Sequence, residues 1–355
     1  MLTGNKGEWG EVYALLKILA DKKLYAGDAQ LNRIENIIYP IIKVLRDETQ
    51  GTHEFHYDND LVVITAAGKE KRIAIAEFQR QAYLLLDQIK NQTQSTFSLP
   101  EVEQFMQTFG SHSLKAKSSR KTDIRVMVHD FRTGMKPELG FSIKSQIGSA
   151  ATLLNAGKTT NFICRISSRI EDAAVAQINA IDTKHKIRDR MQALQAYGLR
   201  PFRPESKTFE NNLTLIDSAL PRIVAEALLL FYRGEASYMA DITEKPNALN
   251  PLAFDLSSGH RFYEYKLKRL LVDVALGMMP AQAWNGQLDS TGGYLIVKQD
   301  GDVVCYHIYS RNDFENYLFA NTKLDTASSS KHDFGQIYQE NDEQFFKLNL
   351  QIRFI

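Results

Sequence analysis

The sequence predicts a mixed α/β (α+β) protein: a core of helices and strands, a helical middle, and a strand-rich C-terminal region. Three observations predict it. Apolar residues recur at three- and four-residue steps near the start, at Trp9, Val12, Leu15, Leu16 and Leu19. Short alternating runs bounded by turn residues follow and return between residues 123 and 166. From Glu171 to about Gly277 helical spacing takes over, before alternation resumes in the tail. The 355 residues are 44% hydrophobic and 24% charged, enough for a sizeable core in an ordinary globular chain.

Taken in order, residues 8–23 read as a helix, with Glu11 on the flank of the apolar stripe and near the helix start, where the macrodipole favours a carboxylate. The apolar segment 34–45 contains Pro40, which predicts a kink or break. Residues 53–57, 61–65 and 72–76 read as a strand meander, and 77–90 as a helix. Ser98-Leu99-Pro100-Glu101 starts another helix, with Ser98 as cap and Pro100 in the first turn. Strands follow from Asp123 and through Lys144, then a short helix over 149–155 and a strand over 161–166. Helices are expected over 178–194, 218–232 and 260–276. In the tail, 294–298 and 303–308 flank Gln299-Asp300-Gly301-Asp302, a hairpin signal. Thr326-Ala327-Ser328-Ser329-Ser330 reads as a loop. Residues 345–355 alternate and are expected to close a sheet.

Composition excludes several classes. Lys plus Arg number 43 against 42 Asp plus Glu, so the net charge of +1 does not announce nucleic-acid binding, and such a surface must come from local asymmetry. Cys164 and Cys305, the two cysteines, form no metal or disulfide pattern. The N-terminus lacks a signal-peptide core, and no apolar run reaches membrane-spanning length. The expectation is a cytoplasmic protein with no membrane partner.

The chemistry concentrates between residues 115 and 146. A basic run with Lys115, Lys117, Arg120 and Lys121 leads into Asp123. Asp123 opens one alternating strand and Lys144 lies on the next, which places a carboxylate and an ammonium at one sheet edge. Hydrolysing a phosphodiester needs a nucleophilic water, neutralisation of the phosphoryl oxygens and help for the leaving oxygen. A Mg2+ ion held by carboxylates, with a lysine beside it, supplies these. Asp123 is the expected metal ligand. Lys144 is expected to assist the water, and Gln146, on the same strand face, to order a water or a phosphate. Ile143, between Ser142 and Lys144, should point to the core. Ser142 stands where a second acid would usually be. A single carboxylate holds a divalent ion poorly, so Glu11 is the first candidate for the missing ligand, with Glu138 and Glu77 behind it. The competing reading makes Asp123 a turn residue and Lys144 a solvated lysine.

Other clusters carry weaker signals. Gly157-Lys158-Thr159 lacks the earlier glycine of a nucleotide-binding loop, since that position is Thr152. A DNA-phosphate contact through Lys158, Thr159, Thr160 and Asn161 is the alternative to a solvated turn. Lys184, His185, Lys186, Arg188 and Arg190 alternate with Asp182 and Asp189, as on a solvated helix face. Lys331 and His332, after the serine run, are placed to reach DNA base edges.

Together these residues resemble type II restriction endonucleases of the HpaII family. The resemblance spans most of the chain. It is carried by Gly4-Asn5-Lys6-Gly7-Glu8-Trp9-Gly10-Glu11, Lys121-Thr122-Asp123-Ile124, Gly140-Phe141-Ser142-Ile143-Lys144-Ser145-Gln146 and Leu154-Asn155-Ala156-Gly157-Lys158-Thr159-Thr160-Asn161-Phe162. It implies a PD-(D/E)xK nuclease core, with Thr122-Asp123 as the Pro-Asp pair and Ser142-Ile143-Lys144 as the segment ending in lysine. It implies Mg2+-dependent cutting of double-stranded DNA at the palindrome CCGG, a homodimer on DNA, and a methyltransferase as functional partner. Gly7 followed by Glu11 is similar to the first helix of Holliday-junction resolvases, where the equivalent Glu helps bind metal. The expected division is 1–170 for the nuclease core, 171–290 for a helical region serving DNA binding or dimerisation, and 291–355 for strands with specificity loops. A non-catalytic DNA-binding protein on the same fold and a repair or junction nuclease are the alternatives.

Overall fold

The computed structural model describes residues 1–116, 122–131 and 133–355. In chain order its elements begin with α1 (Lys6–Asp21), β1 (Lys23–Gly27), β2 (Arg33–Glu48), β3 (Gly51–Asp58), β4 (Leu61–Ala66), β5 (Lys69–Ala74), α2 (Ile75–Asn91) and α3 (Pro100–Thr108). Next come β6 (Ile124–Val128), β7 (Glu138–Ser145), β8 (Thr152–Leu154), β9 (Asn161–Ile166), α4 (Asp172–Asn179), α5 (Lys186–Ala193) and β10 (Leu199–Pro204). The helices α6 (Lys207–Ile216), α7 (Leu220–Tyr232), α8 (Met239–Leu249) and α9 (Phe262–Leu276) follow. The chain ends with β11 (Gly293–Val297), β12 (Val303–His307), α10 (Arg311–Ala320), β13 (Thr322–Leu324), α11 (Ser329–His332), β14 (Ile337–Glu340), β15 (Glu343–Asn349) and β16 (Ile352–Phe354). The fold is therefore mixed α+β. None of its described helices is long and apolar enough to cross a membrane.

Two compact units emerge: residues 1–151 with 288–317, and 152–287 with 318–355. Residues 291–317, grouped by the sequence with the C-terminal strands, belong to the first unit.

The first unit is built on a nine-stranded sheet in the order β1-β12-β11-β7-β6-β2-β3-β4-β5. β7 is central: it runs antiparallel to β6 and parallel to β11. The β11–β12 hairpin turns on Gly301, whose φ of +96° suits glycine. One face of the sheet is covered by α1, α2 and α3. Trp9, Leu15, Leu16, Phe78, Leu85 and Val102 pack there against Phe141, Ile143 and Leu295. Trp9 also stacks on Phe97, and its indole N–H donates to the Phe97 carbonyl at 3.1 Å. α1 starts at Lys6 because Asn5 and Glu8 form a capping box, each side chain accepting from the other's backbone N–H.

Pro40 does not break its segment. β2 is one strand of 16 residues, and Pro40 ends the stretch paired with β1, where the strand passes to β6 and β3. A register irregularity follows between Ile41 and Lys43, so the imino nitrogen falls where the ladder changes partner. Leu99, not Ser98, caps α3; the Ser98 hydroxyl pairs instead with Thr3 at 2.8 Å.

The second unit holds a four-stranded sheet, β10-β9-β15-β14, and a three-stranded sheet, β13-β16-β8. The expected helix over 149–155 is instead β8, drawn into a strand by pairing with β16 from the chain's end. The helix expected over 178–194 is two helices, α4 and α5. Asn179 makes the break: its amide exchanges hydrogen bonds with the Ile337 backbone at 2.8 and 2.9 Å. Arg190 is buried there, donating to the carbonyls of Asn179, Ile181 and Gly335, so it is not part of a solvated face. β10, with Pro201 and Pro204, was not visible in the sequence and takes the sheet edge, where proline is tolerated. The tail does not close one sheet: β15 joins β9, while β16 joins β13 and β8.

The packing of α1 on β7 passes through Gly10. A Cβ at Gly10 would lie 2.8 Å from both Cβ and Oγ of Ser145. Gly10→Ala should therefore lower stability by about 1 kcal/mol in a urea melt, overpacking outweighing the better helix propensity of alanine. Gly10→Ala with Ser145→Gly should restore it. A Gly10→Ala protein more stable than the parent would contradict this packing.

Candidate active site

The site is assembled where β6 parts from β7. Phe141 opposes Ile124, and the Asp123 N–H donates to the Phe141 carbonyl at 2.9 Å. Beyond that point the Asp123 side chain replaces the backbone as acceptor. Its Oδ2 takes the Ile143 N–H at 2.7 Å and the Ser142 hydroxyl at 3.0 Å. The Ser142 oxygen in turn accepts from Lys144 Nζ at 3.0 Å. Alternation along β7 puts Ser142 and Lys144 on one face, while Phe141 and Ile143 enter the core, as expected. The side chains of Asp123 and Lys144 thus meet through Ser142. This buried serine bridges where an acid was expected.

Tyr294 of β11 lies beside Ser142 in register and holds the Lys144 ammonium 5.4 Å above its ring. Burial, then the charge of Asp123, pushes its hydroxyl well above the usual range, so the ring stays neutral. Gln146 falls just past β7, although its N–H extends the ladder to the Val297 carbonyl at 2.8 Å.

Glu11 is brought to this cluster by α1. Burial pushes its carboxyl up to about 7, and the charge of Asp123 adds to the effect, while Lys115, Lys144 and Arg46 pull the other way. Among the described residues, none donates a hydrogen bond to the Glu11 carboxylate. A mostly buried acid that repels a second acid and lacks a donor is poorly accommodated without a cation. Glu138 and Glu77 do not share this situation: Glu138 pairs with Arg125 at 2.7 Å and Glu77 with Arg80 at 2.8 Å. No group of three or more His, Cys, Asp or Glu suited to a metal occurs among the described residues. Two carboxylates still suit Mg2+, a hard ion that keeps waters and takes phosphate oxygens to complete its shell.

Arg46, just past the apolar segment 34–45, gave no signal in the sequence. It is buried, paired with Glu48, and donates to Ser111 Oγ at 2.7 Å and to the carbonyls of Ser113 and Leu114 at 2.9 and 2.8 Å. Glu48 accepts from the hydroxyls of Ser111 and Ser113 at 2.6 and 2.8 Å. This network pins the segment that delivers Lys115, which is exposed and paired with Glu8 at 2.9 Å. Lys117, Arg120 and Lys121 lie outside the described residues.

The turn at 157–161 divides into outward and inward residues. Thr160 and Asn161 are buried. Asn349 Nδ2 donates to Asn161 Oδ1 at 2.7 Å, and Asn161 Nδ2 donates to Glu205 and the His332 carbonyl at 2.8 and 2.9 Å. The side chains of these two residues are engaged in hydrogen bonds within the second unit. Lys158 is exposed and Thr159 half-buried. In α11, Lys331 is exposed and His332 half-buried.

The folded state raises the Glu11 pKa above the ordinary 4.5, so folding favours its neutral form. That contribution is present below about 4.5 and is lost as pH rises through about 7. In EDTA, Glu11→Gln should therefore be more stable than the parent at pH 8, by up to about 3 kcal/mol. The difference should vanish toward pH 4.5. Urea melts across this range measure it, and a pH-independent difference would contradict the placement of Glu11.

The chain was compared with known proteins. The profile described as HpaII restriction endonuclease matches residues 5–354. The chain is 49% identical over 357 residues to the type II restriction enzyme HpaII of Haemophilus parainfluenzae, with 99% of each sequence covered. No solved structure matches it. With the Asp123–Ser142–Lys144 arrangement lying inside the matched region, the chain belongs to the HpaII restriction endonuclease family.

Proposed function

We propose that this restriction endonuclease has a PD-(D/E)xK nuclease core and makes Mg2+-dependent double-strand cuts in DNA at the palindrome CCGG. The observation that carries the reading is the hydrogen-bonded line from Asp123 through Ser142 to Lys144, with the donor-poor Glu11 carboxylate beside it. The CCGG specificity is the one that the resemblance to the HpaII family implies.

Asp123 and Glu11 would hold the metal. When bound, it supplies Lewis-acid neutralisation of the phosphoryl oxygens and lowers the pKa of a water. The protein's own groups do the rest. Ser142 fixes the Asp123 carboxylate and spaces Lys144 from it. Lys144, steadied by Ser142 and the Tyr294 ring, directs its ammonium at the attacking water and offsets charge growing on the phosphoryl group. Water adds to phosphorus as the bond to the leaving sugar oxygen breaks. Gln146 orders a water or a phosphate at the edge of the site. Lys115, with Lys117, Arg120 and Lys121 after it, would follow the DNA backbone into the site, and Lys158, Thr159, Lys331 and His332 would add contacts.

A palindrome is matched by a twofold axis, so two copies would act on one duplex, and a methyltransferase of the same specificity would protect host DNA in the cytoplasm. Residues 171–290 would serve DNA binding or dimerisation, and loops within 291–355 specificity.

Digestion of a mapped plasmid tests this. With Mg2+ the parent protein should give the fragments of CCGG cutting, and with EDTA none. Asp123→Asn and Lys144→Ala should each reduce cutting by at least about 100-fold while leaving DNA binding in EDTA intact. Near-parental cutting by either variant would remove these residues from the chemistry.

A further inference from the structure

The second unit contains a feature that the cleavage chemistry does not use. The N-terminal part of α5 and the segment from β13 to α11 face each other across a hollow of about 590 Å³. Lys184, Arg188 and Lys323 line it together with the Ser328, Ser329 and Ser330 side. A second hollow of about 520 Å³ adjoins it, sharing Lys186, Ser329 and Ser330. The two form a trough whose wall carries more cations than acids: Asp325 and Asp333 also line it, and Asp333 is paired with Lys347 at 3.4 Å.

Part of its charge is uncompensated. Lys186 is paired with Asp182 at 2.8 Å, and Asp325, an acid of the wall, is taken by Arg353 at 3.2 Å. Among the described residues no carboxylate pairs with Lys184, Arg188 or Lys323. Lys184 is exposed, and the other two cations are held in place. Gly234, at φ +76°, offers a bare backbone seat to Arg188: a Cβ there would lie 2.2 Å from the guanidinium. Lys323 sits in β13, paired with β16 and bridged to Tyr238. Cations kept apart from acids, fixed by glycine and strand, and faced by serine hydroxyls form a surface for a run of phosphates. The sequence put Lys184 and Arg188 on a solvated helix face and the serines in a loop, and the fold sets them with Lys323 on one trough.

We propose that this trough binds the phosphodiester backbone of duplex DNA and tightens substrate binding without taking part in bond cleavage. The proposal rests on the nuclease reading above and adds to it a docking surface on the second unit.

The test is fluorescence anisotropy with a CCGG duplex in EDTA over a range of salt, using the full chain. The variants are Lys184→Gln/Arg188→Gln/Lys323→Gln and, separately, Ser329→Glu, which removes no cation. The triple variant should bind about 10- to 100-fold more weakly, and its log K against log salt slope should shrink by about 3, near 0.9 per lost phosphate contact. Ser329→Glu should weaken binding in the same direction. Melting temperatures and the Mg2+-dependent single-turnover rate at saturating DNA should match the parent. Parental affinity and salt slope in both variants would overturn the trough assignment. A parent that binds and cuts no DNA would instead overturn the nuclease reading beneath it. A trough that takes mononucleotides while the variants keep parental duplex affinity would also overturn the proposal.

Discussion

The arrangement depends on one carboxylate. Asp123 sits where two antiparallel strands separate, and its Oδ2 accepts the Ile143 N–H that the partner strand no longer satisfies. A buried amide without a partner is costly, so the fold requires an acceptor there. Because that acceptor is an acid, the strand divergence also becomes a charged site. The same oxygen holds Ser142, and Ser142 holds Lys144. Structure and the proposed chemistry thus share one group, and losing the carboxylate would both free a backbone N–H and remove the proposed metal ligand.

The counterweight is α1. Its apolar stripe is buried on the sheet, its start is set by the Asn5–Glu8 capping box, and its approach to β7 is set by Gly10 against Ser145. These three features place Glu11 close enough to Asp123 for the charge of Asp123 to disfavour the ionised form of Glu11. Ser142 then has a physical rationale. A third acid beside two that already repel would raise the electrostatic cost further, whereas a hydroxyl can donate to Asp123 and accept from Lys144 at once.

Much of this was legible in the sequence because it is local. The Trp9–Leu19 stripe, the β3–β5 meander, the Asp-Gly hairpin and the strands carrying Asp123 and Lys144 follow from periodicity and turn residues within a few positions. Glu138 and Glu77, the weaker candidates beside Glu11, are each occupied by an ion pair that the sequence did not reveal. What was not legible is set by distant partners. Residues 152–154 become a strand through pairing with the chain's end. Asn179 breaks a helix because β14 needs its amide. Thr160 and Asn161 look like phosphate ligands in sequence, yet Asn349, nearly two hundred residues away, draws them inward. Arg46 carries no signal in the sequence, and only the fold brings Ser111, Ser113 and Leu114 to its guanidinium.

The central claim is that Asp123 and Glu11 form one divalent-cation site. Isothermal titration of Mn2+ into the parent, Glu11→Gln, Asp123→Asn and the double variant at pH 8 measures it directly. The account predicts that each single change removes most of the binding and that the double variant is little worse than either, since two ligands of one ion act as a unit. Unchanged Mn2+ affinity in Glu11→Gln, or losses that simply add, would contradict it.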